Sequence, residues 1–70
     1  MWIEATDETK RKVLINLDNV TQITDSGEET EHQNYIFFFS ILINCYWVFD
    51  SKEEKDETYR WIKRLLEVPQ

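Results

Sequence analysis

The stretch NYIFFFSILINCYWVFD, residues 34–50, decides what this chain can fold into. From Tyr35 to Phe49 only Ser40 and Asn44 are plainly polar, in a chain that is otherwise heavily charged. The run is shorter than the ~20 residues of a membrane-spanning helix, and it carries Asn44 and many aromatic rings. No soluble-helix pattern suits it either, because apolar side chains would point in every direction around the axis. A single strand is excluded by length, since 17 residues at ~3.3 Å each overrun a small domain. The stretch must fold back on itself.

The sequence LIN, residues 42–44, is the expected turn, with Asn44 in the left-handed conformation that Asn tolerates. That pairs 34–41 with 45–50. A three-residue loop puts Tyr35, Phe37, Phe39, Ile41, Cys45, Trp47 and Phe49 on one face. Ile36, Phe38, Ser40, Tyr46 and Val48 then occupy the other. A two-residue loop recombines the sets, because one residue of slip reverses every side chain. In either register both faces are apolar.

The rest of the chain reads as three more strands and a helix. MWIEAT (1–6) alternates, with Met1, Ile3 and Ala5 on one side; DETKR connects it to KVLINL (12–17), where Val13, Ile15 and Leu17 share a face. LDN turns the chain, and VTQIT (20–24), rich in β-branched residues, forms a third strand. DSGEETEHQ (25–33) is a loop carrying the only Gly and four carboxylates. Ser51 followed by Glu54 is a capping box. Acidic residues then fill the early turns, and Arg60, Lys63 and Arg64 the later ones, in the order that complements the helix dipole. Tyr59, Ile62, Leu65 and Leu66 recur at helical spacing, and Pro69 is the expected stop, so the helix is placed at 52–67. Its first turn and a half is purely charged, which leaves only the C-terminal part to pack. The expected fold is α+β, a single domain over 1–70. It has a small antiparallel sheet or open barrel of about five strands, followed by one C-terminal helix.

One short helix covers one face of a small sheet. The second apolar face then closes into a barrel or meets a partner, since contiguous exposed patches above a few hundred Å² mark interfaces. Burying four large side chains there is worth roughly 6–12 kcal/mol, comparable with the stability of a whole domain.

The net charge of −6 repels nucleic-acid phosphate and anionic lipid and argues against both as partners. The single cysteine, Cys45, allows no intrachain disulfide and fits a reducing compartment. MWIEATDE has no basic segment followed by an apolar one, so no secretory signal is read and a cytoplasmic location is expected. Without that signal NVT, residues 19–21, is a chance glycosylation match.

The order of signals carries a resemblance. A short MWIEAT start, VLINLDNVTQI, an apolar hairpin ending YWVFDS, and KEE opening a terminal helix resemble small flagellar-operon proteins of the FlbD/SwrD type. In those, an N-x-x-x-I/V signal follows the second strand and V-x-E-S marks the helix start. LIN stands where such proteins tend to carry an Asn-Gly turn, and the 25–33 loop is long. The resemblance implies the same architecture and a bacterial or phage accessory role. It offers no catalytic residues to carry over.

Chemistry is sparse. His32 is the only histidine and sits in the acidic loop, where a solvated role is the simpler reading. DSGEETEH lacks the alternating ligands of a calcium loop. There is no H-E-x-x-H, C-x-x-C or glycine-rich phosphate loop. Cys45, in an apolar strand, reads as a packed thiol. No metal, cofactor or catalytic constellation is expected, and the chain is read as a non-enzymatic protein-interaction module. It would self-associate or dock on a larger protein through Ile36, Phe38, Tyr46, Val48 and Trp61. Trp61 is also read as an edge of the core, and tryptophan is enriched at binding hot spots. The alternative is a homo-oligomeric binder of a small anionic ligand such as a nucleotide. Lys10, Arg11 and Lys12, which otherwise form a solvated hairpin tip, would then join Arg60 and Arg64 around it.

Overall fold

A computed structural model of the protein describes residues 1–27 and 34–68. Five strands and one helix follow in the expected order: β1 (Trp2–Thr6), β2 (Lys12–Asn16), β3 (Gln22–Asp25), β4 (Asn34–Phe39), β5 (Asn44–Phe49) and α1 (Lys52–Leu65). The strands form two antiparallel sheets rather than one, a β1–β2 hairpin and a three-stranded β3–β4–β5 sheet with β4 in the middle. A 3-10 turn, Leu17–Asn19, joins the first sheet to the second, started by the Asn16 side chain accepting from the Asp18 amide. No helix among the described residues is long and apolar enough to cross a membrane.

One core holds the sheets and helix together. Ile3 and Ala5 of β1, Ile15 of β2, Leu17, Ile36 and Phe38 of β4, and Ile62 of α1 are all buried in it. Of the alternation read in the first two strands, Ile3, Ala5, Val13, Ile15 and Leu17 point inward, whereas Met1, placed on the same side, is exposed. Both the β1–β2 hairpin and α1 cover the Ile36–Phe38 side of the three-stranded sheet, and no element of the described residues covers the other side.

The hairpin register differs from the expected one. Phe39 pairs with Asn44, so the connection is the four residues Ser40–Ile43. Asn44 belongs to β5, and none of the turn residues has a positive φ. Ser40 makes the turn instead. Its amide donates to the Ile43 carbonyl at 2.8 Å, while its hydroxyl accepts from the Leu42 and Ile43 amides at 3.2 and 3.1 Å. Serine hydroxyls can stand in for backbone acceptors in this way. The inner face therefore carries Ile36 and Phe38 with Cys45, Trp47 and Phe49, and the outer face Tyr35, Phe37 and Phe39 with Tyr46 and Val48.

The helix starts where the capping signal puts it, the Ser51 hydroxyl accepting from the Glu54 amide at 3.2 Å. It ends at Leu65, before Pro69, which lies outside the described residues. Glu67 takes a left-handed φ of 57°, with its amide bonded to the Arg64 carbonyl and the Val68 amide to the Lys63 carbonyl. This is a Schellman closure with glutamate in the usual glycine position.

Candidate functional site

The uncovered side of the β3–β4–β5 sheet is an aromatic surface. Tyr35, Phe37 and Phe39 alternate along β4, and Tyr46 and Val48 face them from β5. Tyr46 is the hub, with its ring centroid 4.6 Å from Phe37 and 5.0 Å from Tyr35, the latter edge-on. Such pairs contribute about 0.5–1.5 kcal/mol beyond area burial, and they hold the surface in a fixed shape. On the β3 side it is bordered by Gln22 and Thr24, which are neutral. Of the expected contact residues, Tyr46 and Val48 lie on this face. Ile36 and Phe38 do not: both are fully buried in the core, because the four-residue turn reverses their side relative to Tyr46. Trp61 is exposed on the helix, away from this surface.

Trp61 belongs to a second feature. An open groove of about 490 Å³ runs between β5 and α1, lined by Trp47, Glu57, Thr58, Arg60, Trp61 and Arg64. Trp47, one of its walls, stacks on Phe49 at 5.1 Å. Two guanidinium groups and two indoles are suited to a planar anion, with Glu57 as an opposing charge. The basic β1–β2 tip is placed elsewhere. Lys10 lies 3.9 Å from Asp50, just before α1, whereas Arg60 and Arg64 sit roughly 12–18 Å further along the helix at 1.5 Å per residue. Arg11 donates to Asp7 Oδ2 at 3.1 Å and to the Thr9 hydroxyl at 2.7 Å, and Lys12 opens β2 opposite Thr6. The structure keeps the two expected halves of an anion site apart.

Asp7 organises that tip. Its carboxylate also accepts from the Thr9 hydroxyl and from the Thr9 and Arg11 amides. The Thr9 hydroxyl, then the two amides and the Arg11 charge, outweigh burial and lower its pKa to about 2.

The residue that sequence reasoning missed is Lys55. It sits in the charged first turns of α1, yet it is 1% exposed. Its ammonium reaches Asp25 Oδ1 at 2.6 Å, Asp56 Oδ1 at 3.3 Å and the Gly27 carbonyl at 3.4 Å. Gly27 has a left-handed φ of 81°, and its amide bonds back to Asp25 Oδ1. Burial alone would lower the lysine's pKa, but the two carboxylates more than offset it and hold the ammonium above its ordinary value. Asp56 is lowered, first by Lys52 at 2.8 Å and then, against its own burial, by Lys55. The signal was present in the spacing. The apolar stripe Tyr59–Ile62, extended back by one turn, lands on Lys55. A lysine there packs its stem inward and requires acceptors for its head. With three acceptors in place it is a structural clamp between β3 and α1.

Little else among the described residues is reactive. Cys45 is half-buried, and burial followed by the charges of Asp7 and Glu8 pushes its thiol up, away from the nucleophilic thiolate. No cluster of metal-ligating side chains occurs among the described residues. His32 and most of the acidic loop lie outside them. Comparison with protein-family models, curated proteins and solved structures found no match.

Proposed function

We propose that the chain is a small non-enzymatic interaction module whose apolar hairpin, β4–β5, docks on protein. The observation that supports this reading best is the outer sheet face. Tyr35, Phe37, Phe39, Tyr46 and Val48 form a preassembled aromatic surface bordered on the β3 side by neutral residues, with no element of the described residues over it. Rigid aromatic side chains lose little entropy on binding and dominate interface energetics. The resemblance to flagellar-operon accessory proteins fits a bacterial or phage origin and a cytoplasmic setting.

Tyr46→Asp and Phe39→Asp test the reading. Both side chains are exposed, so the helical circular-dichroism signal should persist while binding to a protein partner falls by at least tenfold. Equal binding by wild type and both variants would contradict it.

The groove supports a second reading, a binder of a small planar anion such as a nucleotide between Trp47, Trp61, Arg60 and Arg64. Under it, Arg60→Ala and Arg64→Ala abolish nucleotide binding in calorimetry and leave assembly unchanged. No binding by the wild type would exclude it.

A further inference from the structure

A different apolar surface lies at the turn of the β4–β5 hairpin. Ile41 and Leu42 are 95% and 82% exposed, and Trp2 and Leu14, on the outward side of the β1–β2 hairpin, are 65% and 68% exposed. These residues are contiguous. Trp2, Leu14, Leu42 and Ile43 line one cavity of about 200 Å³. Ile41 and Leu42 border a neighbouring one of about 370 Å³, and Asn19, Ser40 and Leu42 are common to both. No charged side chain lines either cavity. Glu4 stands opposite Leu14 in the ladder, and Asp18, next to Asn19, accepts from the Met1 ammonium at 2.8 Å.

We propose that this patch is where two copies of the chain meet about a twofold axis, Ile41 of each entering the Trp2–Leu14–Ile43 cavity of the other. The inference goes beyond the interaction reading above, which concerns the aromatic face, and assigns the hairpin tip a separate contact with a second copy. Three observations support a second copy. The first is area. At ~200 Å² for a large side chain, the four exposures leave roughly 600 Å², the top of the range for the largest patch of a typical monomer and about three-quarters of the ~800 Å² per partner of a standard interface. The second is shape. A twofold contact needs a surface complementary to itself, and here a protruding side chain sits beside a cavity larger than the ~150 Å³ that holds a benzene ring. The third is charge. Two chains of net charge −6 repel, and these cavities, lined by no charged side chain, are where they approach at least cost. Folding does not account for the apolar tip, because Ser40, not Ile41 or Leu42, fixes the turn.

The test is sedimentation velocity from low micromolar to near-millimolar concentration, on the wild type, Ile41→Ser, Leu42→Ser and Tyr46→Asp. The expected result is a wild-type dimer that Tyr46→Asp retains and that each tip variant weakens at least tenfold, with unchanged circular dichroism. A dimer lost in Tyr46→Asp but kept in the tip variants would overturn the inference and leave the interaction reading intact. A wild-type monomer at every concentration would overturn the inference, and the reading above would then stand or fall on heterologous binding by Tyr46→Asp. Co-sedimentation of a monomeric wild type with phosphatidylcholine vesicles, lost in Ile41→Ser, would assign the tip to a bilayer and equally overturn it.

Discussion

The two ends of the β3–β4–β5 sheet break the ordinary rule of burial in opposite directions. At the end nearest the helix start a lysine lies inside, and at the far end an isoleucine and a leucine lie outside. The difference is in what answers each residue. Lys55 has three oxygen acceptors, and among the described residues no buried side-chain polar atom lacks a partner. Ile41 and Leu42 project from a turn whose hydrogen bonds Ser40 supplies without them. A misplaced residue that the chain itself satisfies belongs to the fold. One that it leaves unanswered is where the proposed contact with a second copy falls.

The largest effect should come from breaking the satisfied end. Asp25→Ala strands an ammonium with no access to water and should cost about 3 kcal/mol, near the lower bound for breaking buried pairs because Asp56 remains. Lys55→Met should cost less than half of that. It leaves Asp25 and Asp56, each 29% exposed, able to take up water. Urea denaturation of the two variants measures the gap, and equal losses would mean that the ammonium left by Asp25→Ala is not stranded.

At the other end Ser40→Ala removes the hydroxyl that holds the turn and should cost about 1–2 kcal/mol by the same measurement. Ile41→Ser and Leu42→Ser should change monomer stability by less than about 0.5 kcal/mol, as exposed positions do, while weakening association. A large stability loss in either would place the tip in the fold after all.

Acid sharpens the contrast. Asp7 and Asp56 both lie toward the helix-start end, and both ionise more readily folded than unfolded. Their contribution is fully present above the unfolded carboxyl value of ~3.9. That of Asp7 fades as pH falls through about 2. Asp7→Asn should flatten the acid limb of the stability profile between those values and leave neutral-pH association unchanged. An unchanged acid limb would show that the Asp7 bonds carry no pH dependence.

Much of this architecture was legible in the residues. Ser51 and Glu54 marked the helix start, the alternation of Ile3 with Ala5 and of Ile15 with Leu17 marked the inner faces, and LDN marked a turn. The register of the aromatic hairpin was not legible. Its turn depends on a serine hydroxyl turned back onto two amides, which no Gly or Asn-Gly signal announces, and a shift in loop length moved Ile36 and Phe38 into the core. Lys55 was hidden for a related reason: two of its three acceptors, Asp25 and Gly27, come from residues far away in the chain. The helix end likewise rests on Glu67 adopting a conformation that glycine would take more readily. The outer aromatic face follows from the register, and the exposed tip from both hairpins together, so neither could be drawn before the strands were paired.

Concentration-dependent thermal unfolding tests the central claim most directly, because binding between native copies raises the melting temperature with protein concentration. The wild type should melt several degrees higher at near-millimolar than at micromolar concentration, and an Ile41→Ser/Leu42→Ser double variant should melt at one temperature throughout. A concentration-independent melting temperature in both would contradict the claim that the exposed tip is answered by a second copy of the chain.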